Sequence, residues 1–184
     1  MQKVDLKSMT FAELQKFVED LGEKKFRTTQ LYQWMHQKMV KGFASMTNLS
    51  AAFRDKLEEQ AALNGCTMVK RQISADGTNK FLMELSDGNK VESVLMKYHH
   101  GNSVCISTQV GCRMGCRFCA STVGGLNRSL TTGEMLEQIY EVQRITGERV
   151  SNVILMGIGE PLDNYENVVR FIRMISDERG LHIS

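Results

Sequence analysis

The spacing of hydrophobic residues changes twice along the 184 residues, and this change limits the folds that the chain can adopt. Up to about residue 63, apolar residues recur every three or four positions, which is typical of amphipathic helices. From Thr67 to Ser107 they alternate with polar residues, which is typical of strands with one buried face. Beyond Ser107, short apolar runs alternate with helical periods, which indicates βα units and a parallel sheet. The sequence therefore predicts an α/β fold with three differently organised parts.

The first part is predicted to contain three helices and no catalytic constellation. Thr10 and Glu13 form the T-x-x-E pattern of a capping box, with Gly22 as a stop. A second helix is expected over residues 29–40, and a third is expected to begin near Ser50. The simplest interpretation is a structural accessory domain over residues 1–63.

The second part, residues 64–100, is predicted to be a small antiparallel β segment. Its apolar runs are separated by turn signals such as Asp76-Gly77 and Asp87-Gly88. The third part, residues 101–184, begins with a strand to Ser107 and a long loop over residues 109–129. It continues with a helix capped by Thr131 and Glu134. A strand is expected over residues 150–156, a helix over 165–175 and a third strand over 181–183.

The composition excludes several classes of protein. Lys plus Arg total 23 and Asp plus Glu total 21, so no strong global field indicates a nucleic-acid or membrane partner. Apolar runs stay well short of the roughly 18 residues that a membrane helix needs, and the N-terminus lacks a secretory pattern. We therefore expect a soluble, cytoplasmic protein.

Three of the five cysteines lie within eight residues: Cys112, Cys116 and Cys119, with the spacing C-x3-C-x2-C. Thiolates are soft ligands that suit iron–sulfur clusters or zinc, and three of them can hold a cubane while one iron stays open. Structural zinc usually takes four protein ligands, commonly from paired motifs, so a zinc module is the less favoured alternative. A disulfide framework is less favoured still, because three neighbouring cysteines cannot pair off.

This motif, with Phe118 before the last cysteine, resembles the signature of the radical S-adenosylmethionine (SAM) superfamily. The resemblance implies that Cys112, Cys116 and Cys119 hold a [4Fe–4S] cluster whose open iron binds S-adenosyl-L-methionine. It also implies that residues 101–184 form an incomplete radical-SAM βα barrel. The segment Gly157-Ile158-Gly159-Glu160 follows an apolar strand and is similar to the Gly-Glu segment of that superfamily, so Gly159 and Glu160 are assigned to cofactor binding.

More of the chain resembles a narrower family, the dual-specificity 23S rRNA and tRNA adenine C2-methyltransferases. The similar segments are 25–27, 30–34, 46–50, 91–94, 105–112, 125–131 and 157–162. The related adenine C8-methyltransferases have alanine at the position of Pro161, so this proline favours the C2 family. The resemblance implies 23S rRNA and tRNA as substrates, together with an external electron donor such as flavodoxin or ferredoxin.

In that family a methyl-carrying cysteine near the C-terminus forms a covalent adduct with the RNA. By resemblance Glu92 is the proton acceptor, and Cys105 resolves the adduct through a transient disulfide with the methyl carrier. On residue type alone, Glu92 could equally be a solvated strand residue and Cys105 a buried hydrophobe.

No cysteine follows Cys119, and residues 181–184 end where a third strand is expected to begin. We therefore expect a truncated chain that lacks the methyl carrier and is inactive alone. The alternative function is a non-catalytic, cysteine-rich module that binds metal or RNA.

Overall fold

The structure is a computed structural model, and it describes residues 3–183. The N-terminal elements are β1 (Val4–Asp5), a 3-10 helix (Leu6–Ser8), α1 (Phe11–Asp20), α2 (Phe26–His36), a 3-10 helix (Phe43–Ser45), α3 (Ala51–Gln60) and β2 (Ala61–Ala62). Four strands follow: β3 (Cys66–Ile73), β4 (Asn79–Leu85), β5 (Lys90–Tyr98) and β6 (Gly101–Cys105). The remaining elements are β7 (Gln109–Gly111), a 3-10 helix (Ala120–Thr122), β8 (Leu126–Ser129), α4 (Thr132–Thr146), β9 (Val150–Ile154), a 3-10 helix (Pro161–Asn164) and α5 (Tyr165–Ile175).

The three predicted N-terminal helices are present, although the second is displaced. The capping box of α1 is formed, because the Glu13 carboxylate accepts from the Thr10 amide at 2.8 Å and the Thr10 hydroxyl accepts from the Glu13 amide at 3.4 Å. Helix α2 begins at Phe26 and ends at His36 instead of covering residues 29–40. It ends early because Met39 adopts a left-handed conformation with a φ of 52°, which a continuing helix does not allow.

The central sheet has five strands in the order β3-β4-β5-β6-β9. The first four form the predicted antiparallel meander, and β9 then pairs with β6 in parallel. Strand β6 therefore belongs both to the meander and to the first βα unit. The predicted boundary near residue 100 falls between two hydrogen-bonded strands of one sheet, and the division into three domains stays a prediction.

The long loop predicted over residues 109–129 is partly ordered as strands. Its two ends, β7 and β8, pair antiparallel, so that Gln109 lies opposite Ser129. The intervening residues therefore project from a short hairpin with a fixed base. Alternation of apolar and polar residues over only three or four positions is too short a signal to predict such strands.

The third βα unit does not form in the described residues. The strand expected over residues 181–183 is replaced by a turn, and Ser184 lies outside the described residues. His182 has a φ of 53°, and the Ile183 amide donates to the Ile175 carbonyl at 3.0 Å, so the segment folds back onto α5. The structure over residues 3–183 is mixed α/β, its central sheet contains one parallel strand pair, β6 with β9, and it does not close a barrel.

Two hydrophobic cores meet at helix α4. One lies among the N-terminal helices, and the other lies between the sheet and helices α4 and α5. Between them the fully buried Lys7 forms an ion pair with the fully buried Glu137 at 2.6 Å. Nearby, His36 Nδ1 and the Tyr140 hydroxyl are 2.7 Å apart.

None of the helices described over residues 3–183 has the length and apolar character needed to cross a membrane.

His36 should make the stability of this interface depend on pH. Burial lowers the pKa of His36 to about 3, with Lys7 acting in the same direction and Asp177 opposing it. In the unfolded chain the His36 imidazole takes up a proton below about pH 6.5, whereas in the folded chain it stays neutral. The free energy of unfolding is therefore highest above about pH 6.5 and decreases as the pH falls. We expect His36→Asn to remove about 2 kcal/mol of the difference in unfolding free energy between pH 7 and pH 5. Urea titrations of both proteins at the two pH values measure this, and equal pH dependence would contradict it.

Candidate functional site

The three clustered cysteines lie on the hairpin between β7 and β8. The Cys112 amide donates to the Gly125 carbonyl at 3.0 Å, which closes the base of the loop. Gly111 has a φ of 74°, and a side chain there would collide with that same carbonyl. At the tip, the Cys119 amide donates to the Cys116 carbonyl at 3.0 Å and forms a turn. The hairpin therefore fixes both ends of the cysteine motif through backbone hydrogen bonds.

The three thiols have different surroundings. Cys112 is buried, Cys119 is half-buried and Cys116 is exposed. The hydroxyl and amide of Ser121 lower the pKa of the Cys119 thiol. Over residues 3–183 no three Cys, His, Asp or Glu side chains are close enough to hold a metal ion. The structure thus places the cysteines on one loop without bringing their sulfurs together.

The Gly-Glu segment continues the line of β9 and lies against the residues that follow β6. The Gly157 amide donates to the Ile106 carbonyl at 3.1 Å, and the Thr108 amide donates to the Ile158 carbonyl at 2.9 Å. A Cβ on Gly157 would lie 2.6 Å from the Ile106 carbonyl oxygen, so this close approach requires glycine. Only a few residues separate Thr108 from Cys112, and the structure therefore brings the segment next to the start of the cysteine loop.

Glu160 lies at the end of this segment, where it caps the following 3-10 helix. Its half-buried carboxylate accepts from the Leu162 amide at 3.0 Å, and Pro161 occupies the first position of that helix. Proline is well suited to this position because its missing N–H would have no partner there. The capping bond limits the directions in which the Glu160 carboxylate points.

Glu92 and Cys105 lie on the same face of the central sheet. Cys105 is paired in register with Val94, which lies two residues after Glu92 on β5 and therefore shares its face. This face is half-exposed, whereas the neighbouring Val104 and Ile106 are buried against the core on the α4 side. The structure thus brings the two predicted catalytic side chains to one surface.

These two residues have distinct electrostatic surroundings. Lys80 lies 2.8 Å from the Glu92 carboxylate, and both side chains are partly exposed. Burial raises the pKa of the Cys105 thiol, although a hydrogen bond from the Met156 amide opposes this. That amide comes from the residue immediately before Gly157, so Cys105 borders the Gly-Glu segment.

In the described part of the chain all five cysteines are free. A disulfide is therefore not a feature of this structure, and the expectation of one is not supported here. Cys105 lies in the sheet, whereas the other candidate thiols lie on the hairpin. Cys66 is buried in the core, where its sulfur contacts Met83 at 3.5 Å.

Sequence reasoning missed the polar residues that connect these parts. The Ser107 hydroxyl donates to the Glu92 carbonyl at 2.7 Å and accepts from the Ile158 amide at 3.0 Å. Gln109 contacts the Gly-Glu segment through its side chain, and Arg113 forms an ion pair with Asp163. The one available signal was a run of polar residues directly after an apolar strand, and such runs also occur in ordinary loops.

Two family models match the chain. Residues 4–63 match the ribosomal RNA large subunit methyltransferase N-terminal domain, and residues 106–184 match the radical SAM superfamily. The second match includes the cysteine loop and the Gly-Glu segment. The fold and the candidate site together define a partial radical SAM domain preceded by helices.

Similar individual proteins indicate a narrower group within the radical SAM superfamily. The chain is 61% identical to a probable dual-specificity RNA methyltransferase RlmN of Lachnospira eligens, over 98% of this chain and 52% of that protein. It is 58% identical to the protein of the same description from Lachnoclostridium phytofermentans, over 100% of this chain and 52% of that protein. The chain is similar to RlmN proteins over nearly its whole length, and it spans about half the length of the curated relatives that it matches.

A solved structure supports the fold. The crystal structure of a radical SAM methyltransferase from Sphaerobacter thermophilus superposes with a TM-score of 0.90 at 35% sequence identity. The match covers 98% of this chain and 54% of that one. The arrangement of N-terminal helices, meander and first βα unit is therefore shared with a radical SAM protein.

Membership of the radical SAM superfamily implies a [4Fe–4S] cluster and S-adenosyl-L-methionine, and the donor set fits them chemically. The loop offers three thiols, and residues 109–129 contain three arginines and no acidic residue. Soft thiolates in a loop without acidic side chains suit an anionic cluster, although Arg113 and Arg128 of this loop already form ion pairs with carboxylates. The spacing of the sulfurs in this structure does not itself form the site, so the fit concerns chemistry and loop position.

Proposed function

We propose that this chain forms the cluster-binding half of a radical SAM RNA methyltransferase that acts on C2 of adenosine in 23S rRNA and tRNA. A methyl-cysteine intermediate carries the transferred group, and the methyl carrier lies outside these 184 residues. The observation that supports the proposal most strongly is the junction of the cysteine loop with the Gly159-Glu160 turn at one end of β6 and β9. Ligands in parallel α/β sheets bind at the carboxyl ends of strands, which is where this junction lies.

In this proposal, Cys112, Cys116 and Cys119 hold the [4Fe–4S] cluster. When bound, the cluster and S-adenosyl-L-methionine supply a 5'-deoxyadenosyl radical. Glu160 offers a carboxylate to the ammonium group of the cofactor, and Gly159 lets the ligand approach the backbone. The exposed Phe118 and Met156 border the same region with exposed fractions of 94% and 82%, and they provide apolar surface that excludes water once covered.

Glu92 and Cys105 are the proposed catalytic residues on the neighbouring sheet face. Glu92 takes the proton from C2 of the adenine, and Lys80 at 2.8 Å stabilises its carboxylate before that step. The Cys105 thiol then attacks the sulfur of the methyl carrier. A sulfur–sulfur bond forms as the sulfur–carbon bond breaks, the electron pair goes to the carbon, and a proton completes the new methyl group.

The proposed partners follow from the family. They are 23S rRNA, tRNA and an external electron donor of the flavodoxin or ferredoxin type, all of which are found in the cytoplasm. The relatives are described as dual-specificity RNA methyltransferases, and this description supports RNA as the substrate class. Pro161 supports C2 over C8 as the methylated position.

Anaerobic reconstitution with iron and sulfide tests the proposed cofactors. We expect about four irons per chain and an electron paramagnetic resonance spectrum of the reduced sample that changes when S-adenosyl-L-methionine is added. A chain that binds zinc tightly and forms no cluster would contradict the proposal. That result would favour a non-catalytic metal module instead.

Cys105→Ala tests the resolving step in a protein of full RlmN length that carries these 184 residues. Because no thiol can attack the methyl carrier, we expect RNA to accumulate covalently bound to the protein, and turnover to fall by at least about 100-fold. Gel electrophoresis under denaturing conditions detects the adduct. Cys66→Ala is the matched control, since Cys66 lies in the core and should leave turnover intact. Normal turnover of the Cys105 variant without an adduct would show that this role is wrong.

A further inference from the structure

We propose that Gln109 is a positioning residue that fixes the Gly159-Glu160 turn relative to the cysteine loop. This inference rests on the proposed function, because it takes the turn and the loop as the two halves of one cofactor site. Gln109 begins β7 and lies three residues before Cys112. Its side chain is completely buried, so it acts on its neighbours and does not itself face a ligand.

The amide group of Gln109 connects three separate parts of the chain. Its Oε1 accepts from the Glu160 amide at 3.0 Å. Its Nε2 donates to the Asp163 carboxylate at 3.0 Å and to the Ser129 hydroxyl at 3.3 Å. One acceptor and two donors on a single planar group are a set that a carboxylate or an apolar side chain cannot provide. The choice of glutamine is therefore matched to all three contacts.

Asp163 extends this connection to the cysteine loop. One of its oxygens accepts from Gln109, and the other forms the ion pair with Arg113. Arg113 lies between Cys112 and Cys116, so the side chain of Asp163 reaches into the motif itself. A continuous polar path thus leads from the Glu160 backbone through Gln109 and Asp163 to Arg113, which lies next to Cys112 in the motif.

The Gly159-Glu160 turn also packs directly against Gln109. Gly159 has a φ of 106°, and a Cβ there would lie 2.6 Å from the Cβ of Gln109. The Gln109 amide donates to the Ile158 carbonyl at 3.2 Å, so backbone and side chain hold the same turn. Contacts of this kind hold the residues of a binding site within a fraction of an ångström of the positions that orient a ligand.

Three variants test the contacts of Gln109 and the ion pair between Asp163 and Arg113 separately. Gln109→Ala removes all three side-chain contacts. Gln109→Glu keeps the acceptor for the Glu160 amide but places a second carboxylate beside Asp163. Asp163→Asn keeps the shape and the acceptor for Gln109 but weakens the ion pair with Arg113. Gln72→Ala, on the exposed part of β3, is the matched control.

The first measurement is amide hydrogen exchange by nuclear magnetic resonance on the chain without cluster. We expect the Glu160 amide to exchange at least about tenfold faster in Gln109→Ala, since it loses its acceptor, and to stay protected in Gln72→Ala. Amides of α4 report whether each variant is folded. Unchanged protection of the Glu160 amide in a folded Gln109→Ala variant would overturn the proposal. If Gln109→Ala does not fold, the amide protection of residues 157–163 is compared between Gln109→Glu, Asp163→Asn and the unaltered chain. Unchanged protection in both of these variants would also overturn it.

The second measurement links positioning to the cofactor. In reconstituted protein we expect Gln109→Ala to bind as much iron as the unaltered chain, whereas S-adenosyl-L-methionine binds about tenfold more weakly by titration of the paramagnetic resonance signal. Equal affinity in both proteins would show that the turn is not positioned for the cofactor and would overturn the inference. If the unaltered chain forms no cluster, the proposed function fails, and the exchange measurement still decides whether Gln109 holds the turn.

Discussion

Replacing Cys112, Cys116 or Cys119 singly by alanine should reduce the iron bound after anaerobic reconstitution from about four per chain to nearly none. Each thiolate of a cubane site with three protein ligands holds a different iron, so the loss of one leaves two irons exposed to exchange. The visible absorbance that accompanies cluster formation should disappear together with the iron. Elemental analysis of the desalted protein measures this directly.

The matched control for this experiment is Cys66→Ala. Cys66 is the same residue type, but burial raises the pKa of its thiol far above the usual range, and its sulfur packs in the core. A thiol that stays protonated is a poor metal ligand. The control should therefore retain the full iron content. Equal loss in the control, or retention of four irons by all three loop variants, would contradict the assignment of the ligands.

Glu137→Ala should lower the free energy of unfolding by about 3–5 kcal/mol. Glu137 is fully buried on α4, where Lys7 binds one carboxylate oxygen at 2.6 Å and Arg144 binds the other. Removal of the carboxylate leaves the buried Lys7 ammonium without its partner in a region of low dielectric constant. The N-terminal helices should then detach from α4 more easily, and urea unfolding followed by circular dichroism gives the free energy.

A surface ion pair provides the comparison for Glu137. Glu84 lies 3.1 Å from Lys90, and both side chains are nearly half exposed. Water solvates these charges in the variant as well as in the parent, so Glu84→Ala should change the free energy of unfolding by less than about 1 kcal/mol. Similar effects of the two substitutions would mean that the Lys7–Glu137 pair does not hold the two cores together.

Short-range signals predicted most of the secondary structure. Capping boxes at Thr10 and Thr131 correctly located the starts of α1 and α4, because a cap is made by residues only three positions apart. The Asp-Gly pairs at residues 76–77 and 87–88 likewise located the meander turns. The limits of α2 were wrong, since its end depends on the left-handed conformation of Met39, which no local pattern indicates.

The site shows the same division between local and distant information. The spacing of Cys112, Cys116 and Cys119 predicted the radical SAM superfamily from residues that lie within one loop. The connections of Gln109 to Ser129, Glu160 and Asp163 join residues 20 to 54 positions apart. The local sequence around a polar residue does not indicate a hydrogen-bond partner so far along the chain, so these contacts could not be predicted.

The sequence by itself determined the order of the α-helices and of strands β3 to β6 and β9, the cysteine motif and the resemblance to radical SAM methyltransferases, because these depend on local periodicity and on short spacings. Tertiary structure alone decided that β6 joins the meander to the parallel strand β9, and that the Gly-Glu turn lies against the base of the cysteine loop. It also decided that residues 181–183 pack on α5 instead of extending the sheet. Strand pairing and buried polar contacts are chosen by competition among distant segments for the same core and the same hydrogen-bond partners, and that competition is resolved only when the whole chain has folded.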